Sequence, residues 1–292
     1  MIKEIIDKLV ALLAVSALLA SCSESELWQN PQTEARDGYI MLNFKTEIPA
    51  MQEVVTRAVD PDGGGVQDMT LFCFDSYGLF ISTVKAGVTV QKPGPGEMEG
   101  TFKAEVPENT RTIHFLANQN MDEFKEDSFR NKSESEVMAV LEGSSGRMIY
   151  WGRFACDAGN DSNIAEQMAT SGNSVKLIRN HARISVDNPD NNGHIVITGF
   201  AVCNTNAFGT VAPHHPKKGF DFTWPSSDDP FVTLPVNDAK MSDITDVTSS
   251  MNQYVFECEN SADAPVSVIL RGHLPYQDEE LYYSVLLVDD KG

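Results

Sequence analysis

Cys22 and Arg57 are the two positions whose types and settings invite covalent chemistry. Lys3 and Lys8 precede the apolar or small residues Leu9–Ala20, and the run closes on Leu19, Ala20, Ser21 and Cys22. It is too short for a bilayer core, which needs about 20 residues, and has the charged start and apolar middle of an export signal. Arg57 stands in Val55-Thr-Arg-Ala-Val59, within a stretch that also holds Pro49, Pro61 and three consecutive glycines. The Arg57-Ala58 bond therefore offers a basic site to a trypsin-like protease in a loop. Arg36 is a competing site that would release only what precedes it.

Other patterns that suggest chemistry fall short of it. Gly143-Ser-Ser-Gly146 lacks the fifth position of a nucleophile elbow. Gly94, Gly96 and Gly100 miss the dinucleotide spacing, and prolines interrupt them. His214 and His215 lie between Pro213 and Pro216 with no further zinc ligands at a telling spacing. Asp60-Pro-Asp62 and Asp187 to Asn192 lack the spaced oxygens of a calcium loop. Cys73, Cys156, Cys203 and Cys258 show no CxxC; they allow two disulfides but suit buried thiols in strands better. No enzyme, cofactor or metal is expected. A net charge of −20, from 22 basic against 42 acidic residues, argues against nucleic acid as a partner.

The elements that must hold these positions are mostly strands. Tyr39 to Thr46 alternates, with Ile40, Leu42 and Phe44 on one face and Asn43 and Lys45 on the other, which predicts a half-buried strand. Met69 to Asp75 is apolar on both faces, as a central strand would be, and runs into the turn Asp75 to Gly78. The Arg57 loop thus joins an opening strand to a central one. Further strands are expected at 80–84, 87–91, 101–106, 112–118, 147–152, 175–186, 194–203, 253–257, 266–271 and 281–288. One helix is expected where Ser133-x-x-Glu136 caps Val137, Met138, Val140 and Leu141, with Gly143 closing it. Residues 157–174 are polar and weakly helical at best, and Phe208 to Ser250 is a long irregular excursion. The pattern predicts an all-β protein of two β-sandwiches with one or two short helices. The expected division is a signal at 1–21, a tether at 22–37, a first domain at 38–172 and a second at 173–292.

Leu19, Ala20, Ser21 and Cys22 resemble the lipobox of bacterial lipoproteins, in which the cysteine is diacylated. Ser23-Glu-Ser-Glu26 is similar to the acidic tetrapeptide that sends Bacteroidetes lipoproteins to the outer face of the outer membrane. The chain as a whole resembles the fimbrillins, subunits of the type V fimbriae of Bacteroidales. The resemblance is carried by the lipobox, Thr56-Arg-Ala58, Leu71-Phe-Cys-Phe-Asp75 with Gly78, Leu177 to Ile184, and Gly199 to Asn204 running to Gly209–Pro213. It implies two transthyretin-like β-sandwiches in tandem and a lipid anchor at Cys22 in the outer membrane. It further implies removal of the Ile40, Leu42 and Phe44 strand by an arginine-specific protease acting at Arg57-Ala58, and strand exchange with other fimbrial subunits. The fimbrillin donor strand lies at the C-terminus, whereas this sequence ends at Asp289-Asp-Lys-Gly292, so a strand expected of a donor is missing. Two other readings stay open. One is an uncleaved base or tip adhesin that grips host or bacterial surface ligands through Phe208 to Ser250. The other is a glycan-binding lipoprotein using Trp151 and Trp224 as platforms.

Overall fold

A computed structural model describes residues 35–48, 65–91, 100–122, 124–144, 148–186, 195–214, 231–240, 243–246 and 252–287. The first strand, β1 (Tyr39–Glu47), follows from its alternation: Ile40, Leu42 and Phe44 are buried and Lys45 is exposed. β2 (Met69–Phe74) is buried at every position. The turn into β3 (Phe80–Lys85) is local chemistry, because Asp75 Oδ1 accepts from the amides of Tyr77 at 2.8 Å and Leu79 at 3.0 Å. Gly78 takes φ +71° there, a conformation that costs glycine little. β4 (Gly87–Gln91), β5 (Gly100–Pro107) and β6 (Thr112–Ala117) follow.

Helix α1 (Glu134–Met138) starts at the expected capping box, with Ser133 Oγ accepting from Glu136 N and the Glu136 carboxylate accepting from Ser133 N. It is shorter than the sequence suggests. Val140 is exposed beyond its end, and Gly143 belongs to β7 (Glu142–Ser144) instead of a helix cap. Ser133→Ala removes the cap and should cost about 1 kcal/mol, while Ser133→Asp should cost a few tenths; paired urea titrations measure both.

β8 (Tyr150–Ala155) pairs with β6. Residues 157–174, expected to be a polar boundary, carry helix α2 (Ile164–Thr170), whose Ile164, Ala165 and Met168 enter the core. The single strand expected at 175–186 is three: β9 (Ser174–Lys176), β10 (Ile178–Arg179) and β11 (His181–Ser185). Each goes to a different sheet, β9 beside β1, β10 beside β8 and β11 beside β15 (Asn252–Phe256). A boundary at 172/173 would therefore cut off two strands that pair with the first half.

Two sheets, ordered β4-β5-β1-β9 and β10-β8-β6-β2-β3, face one another. Between them Phe44 stacks on Phe102 at 5.5 Å and meets Phe115 edge-on at 5.0 Å, with Leu42, Leu71, Ile113 and Tyr150 in the same core. The outer face of the second sheet is also covered. Phe72, Leu116 and Trp151 pack with Val137 and Met138 of α1 and with Val211, Ala212 and Val232 from the second half. That double burial is why β2 is apolar on both faces, with Thr70 as the exception.

In the second half, β12 (Val196–Cys203), β14 (Thr245–Asp246), β16 (Ser267–His273) and β17 (Leu281–Leu286) form a sheet ordered β14-β12-β16-β17, beside the pair β11-β15. Its core gathers Phe200, Val202, Val266 and Val268. β13 (Phe208–Thr210) pairs with β7 and so joins the two halves through a short ladder. The described secondary structure is thus mostly β-sheet with two short helices. Much of the Phe208 to Ser250 excursion lies outside the described residues.

Candidate functional site

β1 is the element to which the sequence attaches function, and its seat is asymmetric. Along one side it pairs antiparallel with β5 from Tyr39↔Pro107 to Thr46↔Gly100. On the other side it meets β9 only at Lys45–Glu47, in parallel. Among the described residues no strand pairs with that edge over Tyr39–Phe44. The short parallel contact is nevertheless well fastened. Lys45 N donates to Asn173 O and Leu177 N to Glu47 O, both at 2.8 Å, and Ser174 Oγ donates to Glu47 Oε1 at 2.5 Å. Beside them Thr46 Oγ1 is fully buried with no hydrogen-bond partner, a defect in an otherwise tight seat.

At the other end Arg36 pairs with Glu105 at 2.7 Å and lies 4.4 Å over the Tyr39 ring, on the surface. β1 and β2 lie in opposite sheets. Arg57 and Ala58 themselves lie outside the described residues, as do Leu19, Ala20, Ser21 and Cys22.

A second cluster was not foreseen from the sequence. His114 on β6, Trp151 and Arg153 on β8 and Glu134 at the start of α1 meet beneath the helix. Trp151 Nε1 donates to His114 Nδ1 at 3.1 Å, which leaves the imidazole proton on Nε2, donated to Glu134 Oε2 at 2.7 Å. Arg153 grips the same carboxylate with two bonds, Nε to Oε2 at 2.6 Å and Nη2 to Oε1 at 3.0 Å. Burial pushes the His114 pKa down and keeps the ring neutral. Burial alone would raise Glu134, but the hydrogen bonds from His114 and Arg153, with the Arg153 charge, outweigh it and hold the carboxyl at about 2. With both imidazole nitrogens engaged and the ring fully buried, the cluster pins α1 to the sheet and offers solvent little beyond one edge of the Glu134 carboxylate. It also removes Trp151 as a sugar platform, because the indole is fully buried. Trp224 lies outside the described residues.

Of the remaining candidates, Cys73, Cys156, Cys203 and Cys258 are free thiols, with Cys73 pushed up to about 12 by burial. His214 turns its Nδ1 to Val232 O at 2.5 Å. Gly143 and Ser144 sit in β7. Among the described residues no group of His, Cys, Asp and Glu is arranged to hold a metal ion, and no helix is long and apolar enough to cross a membrane. His215, the Asp60 and Asp62 turn, the Asp187 to Asn192 turn and the Gly94 to Gly96 loop lie outside the described residues.

Neither a family model nor a curated relative matches the sequence. Solved structures do resemble the chain. The tip fimbrial protein Mfa3 from Porphyromonas gingivalis, with a C-terminal truncation, has 14% identity and a TM-score of 0.49 over 86% of this chain and 83% of that one. A candidate cell adhesion protein from Parabacteroides distasonis ATCC 8503 has 14% identity and a TM-score of 0.48 over 84% of this chain and 80% of its own. The fimbrial anchor protein Mfa2 from Porphyromonas gingivalis has 12% identity and a TM-score of 0.26, over 85% and 83% respectively.

Proposed function

We propose that this chain is a cell-surface fimbrial subunit of the fimbrillin kind, exported as a lipoprotein on Cys22 and assembled by exchange of β1 for a strand of a neighbouring subunit. The arrangement has two transthyretin-like sandwiches, the first ending after Arg179. The observation that carries the reading is the seat of β1. Its three core side chains fill the space between two sheets, yet most of its length is held by one neighbour. Burying Ile40, Leu42 and Phe44 is worth about 1.5–3 kcal/mol each, so losing all three removes roughly 5–9 kcal/mol. A typical domain margin is ~5–15 kcal/mol, and the vacated slot would also bare the β5 edge. Such a slot favours an incoming strand, which supplies both ladder bonds and side chains. The orphan hydroxyl of Thr46 is a position at which an incoming strand would fit better. No catalytic step is assigned. The partners are other subunits, the outer membrane through the lipid, and an arginine-specific protease.

Limited digestion of the folded chain with a trypsin-like protease is expected to give a new N-terminus at Ala58 while the sheets remain intact. An intact fold with Arg57 uncut, or cut only after Arg36, overturns the cleavage step. A second reading is favoured by one observation, the fastening of Glu47 to Ser174 and Leu177. On that reading β1 is retained, and the chain is an anchored base or tip that binds surface ligands through the Phe208 to Ser250 excursion. Antibody staining of cells against Tyr39–Thr46 separates the two, since only the retained strand gives a signal.

A further inference from the structure

We propose that the Arg36–Asp37 peptide bond is a second processing site for an arginine-specific endoprotease, held shut while β1 lies on β5 and opened when β1 leaves. Such an enzyme takes its substrate extended, with the arginine side chain sunk in an acidic pocket. Arg36 meets neither condition in the folded chain. Its carbonyl accepts from Tyr39 N at 3.0 Å, which closes a turn over Asp37 and Gly38. Gly38 takes φ +77° in that turn, and its own carbonyl accepts from Glu108 N at 2.9 Å, so the turn is continuous with the pairing of β1 and β5.

The side chain is held as well as the backbone. The register sets Tyr39 opposite Pro107 and Met41 opposite Glu105, which makes Tyr39 and Glu105 diagonal neighbours on the face turned away from Ile40 and Leu42. Arg36 reaches both. Its Nε donates to Glu105 Oε2 at 2.7 Å, and the guanidinium carbon stands 4.4 Å over the Tyr39 ring. The ion pair and the Glu108 bond both cross to β5, so neither survives the departure of β1.

Hydrolysis adds water across the Arg36–Asp37 amide, leaving a carboxylate on Arg36 and an amine on Asp37. On the seated strand that cut would part everything before Asp37, Cys22 included, from a fold that still keeps β1. The clasp postpones it, so the segment bearing Cys22 is separated from β1 only once β1 is free. That order rests on the exchange reading of β1; the protection of Arg36 does not.

The test applies an arginine-specific endoprotease to the whole chain carrying Arg57→Gln, so that β1 stays attached, and follows products beginning at Asp37 by mass spectrometry. The folded chain should be cut at least about tenfold more slowly than a synthetic peptide of residues 30–44, because only a locally opened chain is a substrate. Glu105→Gln and Tyr39→Leu should each speed the cut about threefold, the scale of an exposed ion pair or a cation–π contact. Gly38→Val should speed it too: among the described residues an added Cβ meets nothing within 4 Å, so strain at φ +77° is what opens the turn. Added salt should speed the parent and leave Glu105→Gln unmoved. Each rate is divided by that of the matching peptide, which removes the enzyme's own preferences. Equal rates for the folded chain and the peptide overturn the proposal, as do variants cut no faster than the parent. With Arg57 restored, ends at Asp37 should follow ends at Ala58; an Arg57 that stays uncut sinks the exchange reading and leaves these rates standing.

Discussion

Glu134→Ala should destabilise the protein by about 3–5 kcal/mol, among the largest losses open to a single substitution in this chain. The carboxylate is the countercharge of Arg153, whose side chain is nearly as buried as the core around it. Removing it takes a two-bonded carboxylate away from the buried Arg153 guanidinium under α1, and deprives the His114 Nε2 proton of its acceptor. Glu134→Gln keeps an acceptor and should cost less. Exchanging both partners for apolar residues, Glu134→Leu with Arg153→Met, should recover part of the loss, because it removes the buried cation together with its carboxylate. Urea unfolding of the four proteins ranks them.

The same cluster sets an acid limit. Glu134 is held at about 2 against an ordinary 4.5, so the folded state is favoured by roughly 3 kcal/mol above the unfolded value. That contribution is lost as pH falls from 4.5 through about 2. His114 is lowered from 6.5 by burial, so the unfolded chain takes up a proton first, and stability begins to fall below pH 6.5. Both act in the same direction, and Glu134→Gln should flatten only the lower window.

The second large effect is expected at Phe44. Phe44→Ala removes a fully buried ring that touches both Phe102 and Phe115, and should cost about 3–5 kcal/mol, against at most ~0.5 for Lys45→Ala on the opposite face. The consequence for β1 is sharper than for the fold as a whole. After cleavage at Arg57 the strand would be held only by non-covalent contacts, and its retention time should fall steeply in the Phe44→Ala chain. Mass spectrometry of the sedimented fold after digestion measures whether Tyr39–Glu47 is still bound. Retention unchanged by the substitution would mean that the ladder, not the side chains, holds the strand.

Strands with regular burial were legible in the sequence because one pattern sufficed. The alternation of Ile40, Leu42 and Phe44 marked β1, and a run apolar on both faces but for Thr70 marked β2 as central. Met41 departs from that pattern, being buried although it shares the face of Asn43 and Lys45. The capping box at Ser133 located α1, but its length was set by Gly143 joining β7, a tertiary pairing with Phe208–Thr210 that no local signal records. Helix α2 had a signal that the polarity of 157–174 masked: Asn163-x-x-Glu166 is a second capping box, with Ile164, Ala165 and Met168 behind it. The splitting of 175–186 among three sheets is not visible as periodicity, since every piece is strand. His114, Glu134 and Arg153 lie on three elements: the sheet register sets His114 beside Arg153, and the packing of α1 on the sheet brings Glu134 to them.

The parallel contact between β1 and β9 also dictates an order of events. The Ser174 to Glu47 bond joins residues 127 positions apart, and a parallel neighbour cannot be reached by a simple hairpin. The strand that leaves the ribosome early must therefore wait, half-docked against β5, until α2 and β9 have been made. Contacts of such long sequence separation are slow to form. In pulse-labelled refolding, the amides of Lys45 and Leu177 should acquire protection together and after those of the β2-β3 hairpin. The chain's opening segment would then be the closing stitch of its own domain.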